Sequence, residues 1–184
     1  MLPDCDHPLE MLLAAHERIE SQIDTLRRLA SHVREHGCDE QAREAAADVL
    51  CYFDSAGRYH EDEELELFPR LLRCAAGQSA ERAALLVVWL TREHREIDSA
   101  WLVHRSQLER IARGQTAELC ESAIDRFAAY YRGHIAVEEQ QLLPLAAASL
   151  SHAELAAMGA AMAKRRGVAP MDVGQAPAAQ FDPH

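Results

Sequence analysis

Aromatic residues, glycine and proline are all scarce in this sequence. Aromatic side chains make up 5% of its 184 residues, and the 8 glycines and 7 prolines lie mostly near the ends of longer segments. β-Strands are enriched in aromatic and β-branched residues, whereas alanine and leucine, which are abundant here, are strong helix formers. The composition therefore predicts an all-α protein.

The sequence also lacks cysteine patterns that would indicate stabilising disulfides or a zinc site. The 5 cysteines are an odd number, they are widely spaced, and no two of them form a Cys-x-x-Cys motif. This pattern argues against both a disulfide framework and a thiolate zinc site. Because 48% of the residues are hydrophobic, one domain of this length can bury a sufficient core without such support.

The chain has neither an excess of basic residues nor a long hydrophobic run. Its 30 acidic and 19 basic residues give a formal net charge of −11, which argues against a nucleic-acid partner. The longest apolar stretch, ALLVVWL at 84–90, is far shorter than the roughly 20 residues that a membrane-spanning helix needs. The N-terminus also lacks the basic and apolar regions of a signal peptide. We therefore expect a cytoplasmic protein with no membrane partner.

Helical periodicity is what the sequence does contain. Short polar or glycine-containing breaks separate long segments in which apolar residues recur every three or four positions. The predicted helices are 8–36, 40–74, 79–112 and 116–148. Because short connections make neighbouring helices antiparallel, they predict an up-down-up-down four-helix bundle.

The bundle domain is expected to cover residues 1–166. It would end with a short helix at 152–166, where Ser151 and Glu154 have the spacing of a capping box. Residues 167–184 contain three prolines and two glycines and show no periodicity, so they are expected to form a disordered tail.

Each of the four long helices carries one histidine within its apolar stripe. These histidines are His16, His60, His94 and His134. A buried polar group needs a hydrogen-bond or ligand partner, so something must satisfy the nitrogens of four imidazoles in one core. The remaining histidines lack this patterning and are predicted to lie at the surface: His7, His32, His36, His104, His152 and His184.

A carboxylate follows each of the four histidines at the fourth position, which places nitrogen and oxygen donors on one helix face. The carboxylates are Glu20, Glu64, Asp98 and Glu138, in the order of the helices. At a frequency of 30 acidic residues in 184, chance would give about 1.5 such pairs, and the sequence has five. The fifth pair, His36 with Glu40, crosses the break at Gly37.

The pattern is repeated in the two halves of the chain. HERIE and HEDEELELFP in the first half are echoed by HREID and HIAVEEQQLLP in the second. Two halves related by a pseudo-twofold axis would give each of two metal ions two imidazoles, with Glu64 and Glu138 placed to bridge both ions.

The roles of the other acidic residues near these histidines stay open. Glu20 and Asp98 are candidate metal ligands, candidate acceptors that orient an imidazole, or candidate salt-bridged charges on a helix face. Glu61 and Glu63 are weaker candidates, because two members of the Glu-Asp-Glu-Glu run at 61–64 must point outward whatever Glu64 does.

These residues resemble the hemerythrin-like, or HHE cation-binding, family over about residues 7–148. The resemblance rests on His16, on His60 with Glu64 before Leu-Phe-Pro, on His94, and on His134 with Glu138 before Leu-Leu-Pro. It implies that these six residues hold two iron ions per chain, bridged by an oxo or hydroxo group, within an antiparallel four-helix bundle. Zinc or manganese would also suit imidazole and carboxylate ligands.

Two positions depart from the pattern of the oxygen-carrying hemerythrins. Those proteins have a fifth histidine where this chain has Asp98, and they space the last histidine and carboxylate five apart, which would select Glu139 in place of Glu138. Helix geometry favours Glu138, since the fifth position is rotated about 140° from the histidine, but both assignments stay open. The site is expected to be richer in carboxylates than that of an oxygen carrier.

The function that the resemblance implies is binding of dioxygen or a related small molecule, such as nitric oxide or peroxide, for sensing, storage or a stress response. The alternative is a di-iron redox enzyme, including one that donates iron for iron–sulfur cluster repair. A binding protein is expected more than an enzyme. The sequence leaves the oligomeric state open, a homodimer included.

Overall fold

The computed structural model describes residues 7–166, which are helical almost throughout. No strand occurs between these residues, so the predicted all-α class is confirmed. The helices are α1 (Pro8–His36), α2 (Glu40–Cys51), α3 (Gly57–Cys74), α4 (Gln78–Ala112), α5 (Glu121–Val137), α6 (Leu143–Ser149) and α7 (His152–Arg165). A π-helical turn at Tyr52–Ala56 joins α2 to α3, and a second at Glu138–Leu142 joins α5 to α6. The tail predicted at 167–184 lies outside the described residues.

The four long columns of the bundle are α1, α2 with α3, α4, and α5 with α6. The column of α2 and α3 packs against both α1 and α4, and α5 likewise contacts both. Gly37 and Gly77 have φ angles of 76° and 56°, a backbone conformation that glycine adopts readily, at the tight turns before α2 and α4. No helix within residues 7–166 is long and apolar enough to cross a membrane.

Two apolar clusters form the core, one on each side of His16, His60, His94 and His134. The first cluster includes Ile19, Phe53, Ile97 and Phe127. The second includes Leu12, Leu67, Leu90 and Leu142. The chain runs from the second cluster to the first in α1 and α4, and from the first to the second in the other two columns. This alternation shows the antiparallel arrangement, and it places each histidine between two layers of hydrophobic side chains.

The fourth long helix begins later than the sequence predicts. We expected it to start at 116, but α5 starts at Glu121 and the five preceding residues have no helical structure. Ala117 and Leu119 are both buried. Because alternate residues of an extended chain point to the same side, this segment fills the core in a conformation that the three-to-four-residue periodicity did not reveal.

A set of ion pairs connects helix α7 with α3. Arg166 makes two hydrogen bonds with Glu63, at 2.7 and 2.6 Å, and Glu63 is completely buried. Arg165 contacts Glu66, and Glu154 accepts hydrogen bonds from arginines of α3. A buried carboxylate is costly unless it is paired, so the contact with Arg166 explains why Glu63 faces inward without joining the histidines.

The prediction that His104 lies at the surface is wrong. His104 is 1% exposed, and its ring centroid lies 5.4 Å from that of Phe127 in the first cluster. It shares a face of α4 with Ile97 and Trp101, at spacings of seven and three residues, and that spacing is the signal that the sequence offered. Burial lowers the pKa of His104, so its ring is held neutral in the core.

We expect His104→Ala to lower the free energy of unfolding by about 2 kcal/mol, since it removes a buried ring and leaves a cavity. Urea denaturation would measure this, with His152→Ala as the exposed control. A change within about 0.5 kcal/mol, as is usual for surface positions, would contradict the buried placement of His104.

Candidate metal centre

Each of the four columns contributes one buried histidine to a common point in the bundle. His16 comes from α1, His60 from α3, His94 from α4 and His134 from α5, and each is at most 8% exposed. Glu64 and Glu138 lie among them and are each 1% exposed. The structure thus brings together all six residues that the sequence pattern singled out.

The donor atoms fall into two overlapping groups. The first consists of His16, His60, Glu64 and Glu138, and the second of Glu64, His94 and His134. Within each group the candidate ligand atoms lie within 4.8 Å of one another. The first group takes its two histidines from the first half of the sequence, and the second group takes its two from the second half. Glu64 belongs to both groups.

Glu64 faces three histidines with its two oxygens. Its Oε1 lies 2.6 Å from Nε2 of His60, whereas its Oε2 lies 2.7 Å from Nε2 of His94 and 3.3 Å from Nε2 of His134. The two oxygens of one carboxylate therefore point into the two different groups. That is the arrangement in which a carboxylate can bridge two ions.

Glu138 has a similar but less extensive set of neighbours. Its Oε2 lies 3.0 Å from Nε2 of His16 and 3.6 Å from Nε2 of His134. Its Oε1 is buried and has no hydrogen-bond partner among the described residues. A buried carboxylate oxygen without a partner is costly, and a cation would satisfy it.

The contact distances fit ligands around a shared metal ion. Two donor atoms that are each about 2.1 Å from one ion, at a right angle to each other, lie about 3 Å apart. Nε2 of His60 has no hydrogen-bond partner, although Oε1 of Glu64 is only 2.6 Å away. Close approach without hydrogen-bond geometry indicates that both atoms are directed at a third position. The residues present therefore fit a bound cation.

The pKa shifts of the two carboxylates, Glu64 and Glu138, also fit a bound cation. Burial raises the pKa of Glu138, and the negative charge of Glu64 raises it further, against the opposing contact with His16. For Glu64, burial alone would raise the pKa, but the charge of His60 and the close contacts with His134, His60 and His94 hold it well below its usual value. Like charges in a dry interior repel, so positive charge between Glu64 and Glu138 would stabilise the pair.

Two of the imidazoles are protonated more readily than usual. Burial lowers the pKa of His16, but its bond to Glu138 outweighs that effect, and the net pKa is raised. His94 follows the same pattern, with Glu64 as the partner that outweighs burial. In the absence of a cation, these protons supply the positive charge that the carboxylates require. A bound metal ion would replace them.

A one-residue insertion explains the π-helical turn that begins at Glu138. His60 and His134 are separated by 134 − 60 = 74 residues, whereas the prolines that follow, Pro69 and Pro144, are separated by 144 − 69 = 75. The extra residue falls within Glu138–Leu142, where the backbone hydrogen bonds span five residues in place of four. This change of offset between the repeated motifs is the sequence signal for the turn.

The widened turn lets two consecutive carboxylates reach the same histidine. Glu138 contacts Nε2 of His16, while Oε1 of Glu139 accepts a hydrogen bond from Nδ1 of that ring at 2.9 Å. The Glu139 side chain is 43% exposed, so it approaches from the outside. A carboxylate on one ring nitrogen orients the other toward a metal. This geometry favours Glu138 as the ligand and Glu139 as the residue that positions His16.

We expect Glu139→Gln to weaken metal binding about tenfold, as is usual for groups that orient a ligand, and Glu138→Gln to abolish binding at one of the two positions. Competition between the apoprotein and a chelator for Co²⁺ would give both affinities. Glu44→Gln, an exposed change on α2, is the matched control. Equal losses in Glu139→Gln and Glu138→Gln would reject the division of roles.

The open candidates Glu20 and Asp98 are not drawn into either group. Glu20 forms an ion pair with Arg132, whose Nη2 lies 3.0 Å from Oε2, and is therefore a charge on a helix face. Asp98 is exposed and lines a cavity beside the centre. Of the weaker candidates, Glu63 pairs with Arg166, and Glu61 lines the same cavity as Asp98.

A cavity of about 490 Å³ connects the centre with solvent between α3 and α4. Its inner end is formed by His60, Glu64, His94 and His134. Tyr131, which sequence analysis passed over, also lines it and lies one turn before His134 on the same helix face. Burial raises the pKa of Tyr131, and the charge of Glu64 raises it further, so its hydroxyl stays protonated as a hydrogen-bond donor.

Comparison with known proteins gives two matches. Residues 7–146 match the model of the hemerythrin HHE cation-binding domain. The chain is also similar to an uncharacterized protein of Haemophilus influenzae, with 30% identity over 164 residues, which cover 89% of this chain and 92% of the relative. The family match spans every residue of the two ligand groups.

Proposed function

This chain belongs to the hemerythrin HHE cation-binding family, and from that premise we propose that it is a non-haem di-iron protein that binds dioxygen or a related small molecule. The proposed ligands are the six residues of the two groups: His16, His60, Glu64, His94, His134 and Glu138. The proposed role is sensing, storage or a stress response toward dioxygen, nitric oxide or peroxide.

The observation that carries this proposal is the position of Glu64. One buried carboxylate directs Oε1 toward one histidine group and Oε2 toward the other. A single ion in the first group would leave His94 and His134 without a metal partner, whereas two ions would engage all six residues. Two iron ions joined by an oxo or hydroxo bridge would supply reversible one-electron chemistry and a place for a small ligand.

The chain's own residues would control what reaches the ions. The cavity brings solvent-borne molecules to His60, Glu64, His94 and His134 and to the protonated hydroxyl of Tyr131. A tyrosine hydroxyl at this position can donate a hydrogen bond to a negatively polarised ligand. The hydrophobic layers on both sides keep water from the remaining faces of the centre.

The cavity also supports a second candidate function, that of a di-iron redox enzyme. Its volume of about 490 Å³ falls within the range of pockets that hold small organic molecules, and a diatomic ligand needs far less room. The same ligands would suit iron donation for cluster repair, or zinc and manganese in place of iron.

We expect about two iron ions per chain after expression in iron-rich medium, measured by metal analysis of the purified protein. His60→Ala should lose iron while keeping most of its helical circular dichroism, since apolar burial supplies most of the folding free energy. His152→Ala, at an exposed position, should keep both ions. A folded wild-type protein with no metal would remove the proposal.

We expect the reduced, iron-loaded protein to oxidise within minutes in air and not to recover its reduced spectrum when oxygen is removed. The physical reason is the pair of buried carboxylates, Glu64 and Glu138, whose negative charge stabilises the ferric state. Optical spectra recorded through cycles of air and nitrogen measure this. A spectrum that reverses over several cycles would establish oxygen carriage and contradict this prediction.

A further inference from the structure

We propose that divalent metal cations reach the centre through the cavity between α3 and α4, and that Glu61 and Asp98 bind them transiently on the way. The inference rests on the proposed metal centre, to which it adds a route and two residues that guide the incoming ion. The route runs from the exposed Asp98, past the partly buried Glu61, to His94 and Glu64.

The two carboxylates lie at different depths in the cavity. Asp98 is exposed on α4 at the opening. The Glu61 side chain, on α3, is 29% exposed, and its Oε1 lies 4.0 Å from Nδ1 of His94. His94 is in turn 2.7 Å from Glu64. From Glu61 inward, oxygen and nitrogen donors therefore follow one another to Glu64.

The charges at the opening favour a cation. Arg105 is already neutralised by Asp54 at 2.9 Å and by Glu109 at 2.7 Å. Arg58 is the other arginine that lines the cavity, and the acidic residues Glu61, Asp98 and Glu64 line it too. Negative charge therefore exceeds positive charge along the wall. A cleft of one charge sign with apolar walls concentrates ions of the opposite sign.

Glu61 and Asp98 line the same cavity. Two carboxylates that repel across a cavity gain stabilisation when a divalent cation lies between them. A monodentate, partly hydrated contact of this kind binds an ion weakly enough to release it.

A second observation, independent of the acidic pair, is the unpartnered nitrogen of His94. This side chain is 9% exposed, and its Nδ1 has no hydrogen-bond partner among the described residues. The nitrogen is directed toward Glu61 rather than into the apolar clusters. A buried polar atom on the cavity side of the centre marks the place where an ion passes from the carboxylates to the imidazoles.

The experiment follows Co²⁺ uptake by the metal-free full-length protein in a stopped-flow spectrometer, using the visible absorption of the bound ion. Glu61→Gln and Asp98→Asn, singly and together, remove charge at nearly constant shape. The matched controls are Asp62→Asn on α3 and Glu96→Gln on α4, which are exposed neighbours outside the cavity lining. Circular dichroism verifies that every variant is folded.

We expect the double variant to take up Co²⁺ about tenfold more slowly than the wild type, with a weaker dependence on salt and an unchanged final stoichiometry. The controls should keep the wild-type rate. Equal rates in the double variant and the wild type would overturn the route, as would equal slowing in the controls. A reduced final stoichiometry would also overturn it, because Glu61 or Asp98 would then be a permanent ligand. A wild-type protein that binds no Co²⁺ would instead refute the metal centre itself.

Discussion

Burial of Glu64 and Glu138 within one core is the constraint on which the rest of the structure depends. A carboxylate in an apolar interior is strongly destabilising unless positive charge lies against it. Here the compensation comes from four imidazoles, one from each column of the bundle. The bundle must therefore hold four helices in one register, and the two apolar clusters above and below the histidines supply the packing that fixes it.

The sequence predicted the parts of this arrangement that depend on local helix geometry. A histidine and a carboxylate four residues apart share a helix face wherever the helix lies, so His60 with Glu64 and His134 with Glu138 were visible as pairs. The same rule makes Glu20 and Asp98 candidate ligands as much as Glu64 and Glu138. Only long-range contacts distinguish the first pair of residues from the second. Glu20 meets Arg132, which is 112 residues away in the chain, and no periodicity reports such a partner.

Other features could not be predicted from the sequence periodicity because they depart from regular helical geometry. The extended segment before α5 buries Ala117 and Leu119 with a spacing of two within a helical context. The π-helical turn at Glu138 shows in the sequence only as a change of offset from 74 to 75 residues between the two halves. The turn brings both Glu138 and Glu139 against His16, so the proposed ligand assignment depends on a single inserted residue.

The same departure makes the two halves of the centre unequal, although their sequences repeat. Glu139 covers His16 from outside, and neither His16 nor Glu138 belongs to the described lining of the cavity. The other four proposed ligands do line it. In the proposed centre, small molecules and incoming ions would therefore approach from the side of Glu64, between α3 and α4. The repeated halves supply the six proposed ligands, whereas the inserted residue lets Glu139 cover His16 and leaves the side of Glu64 as the proposed face for ligand exchange.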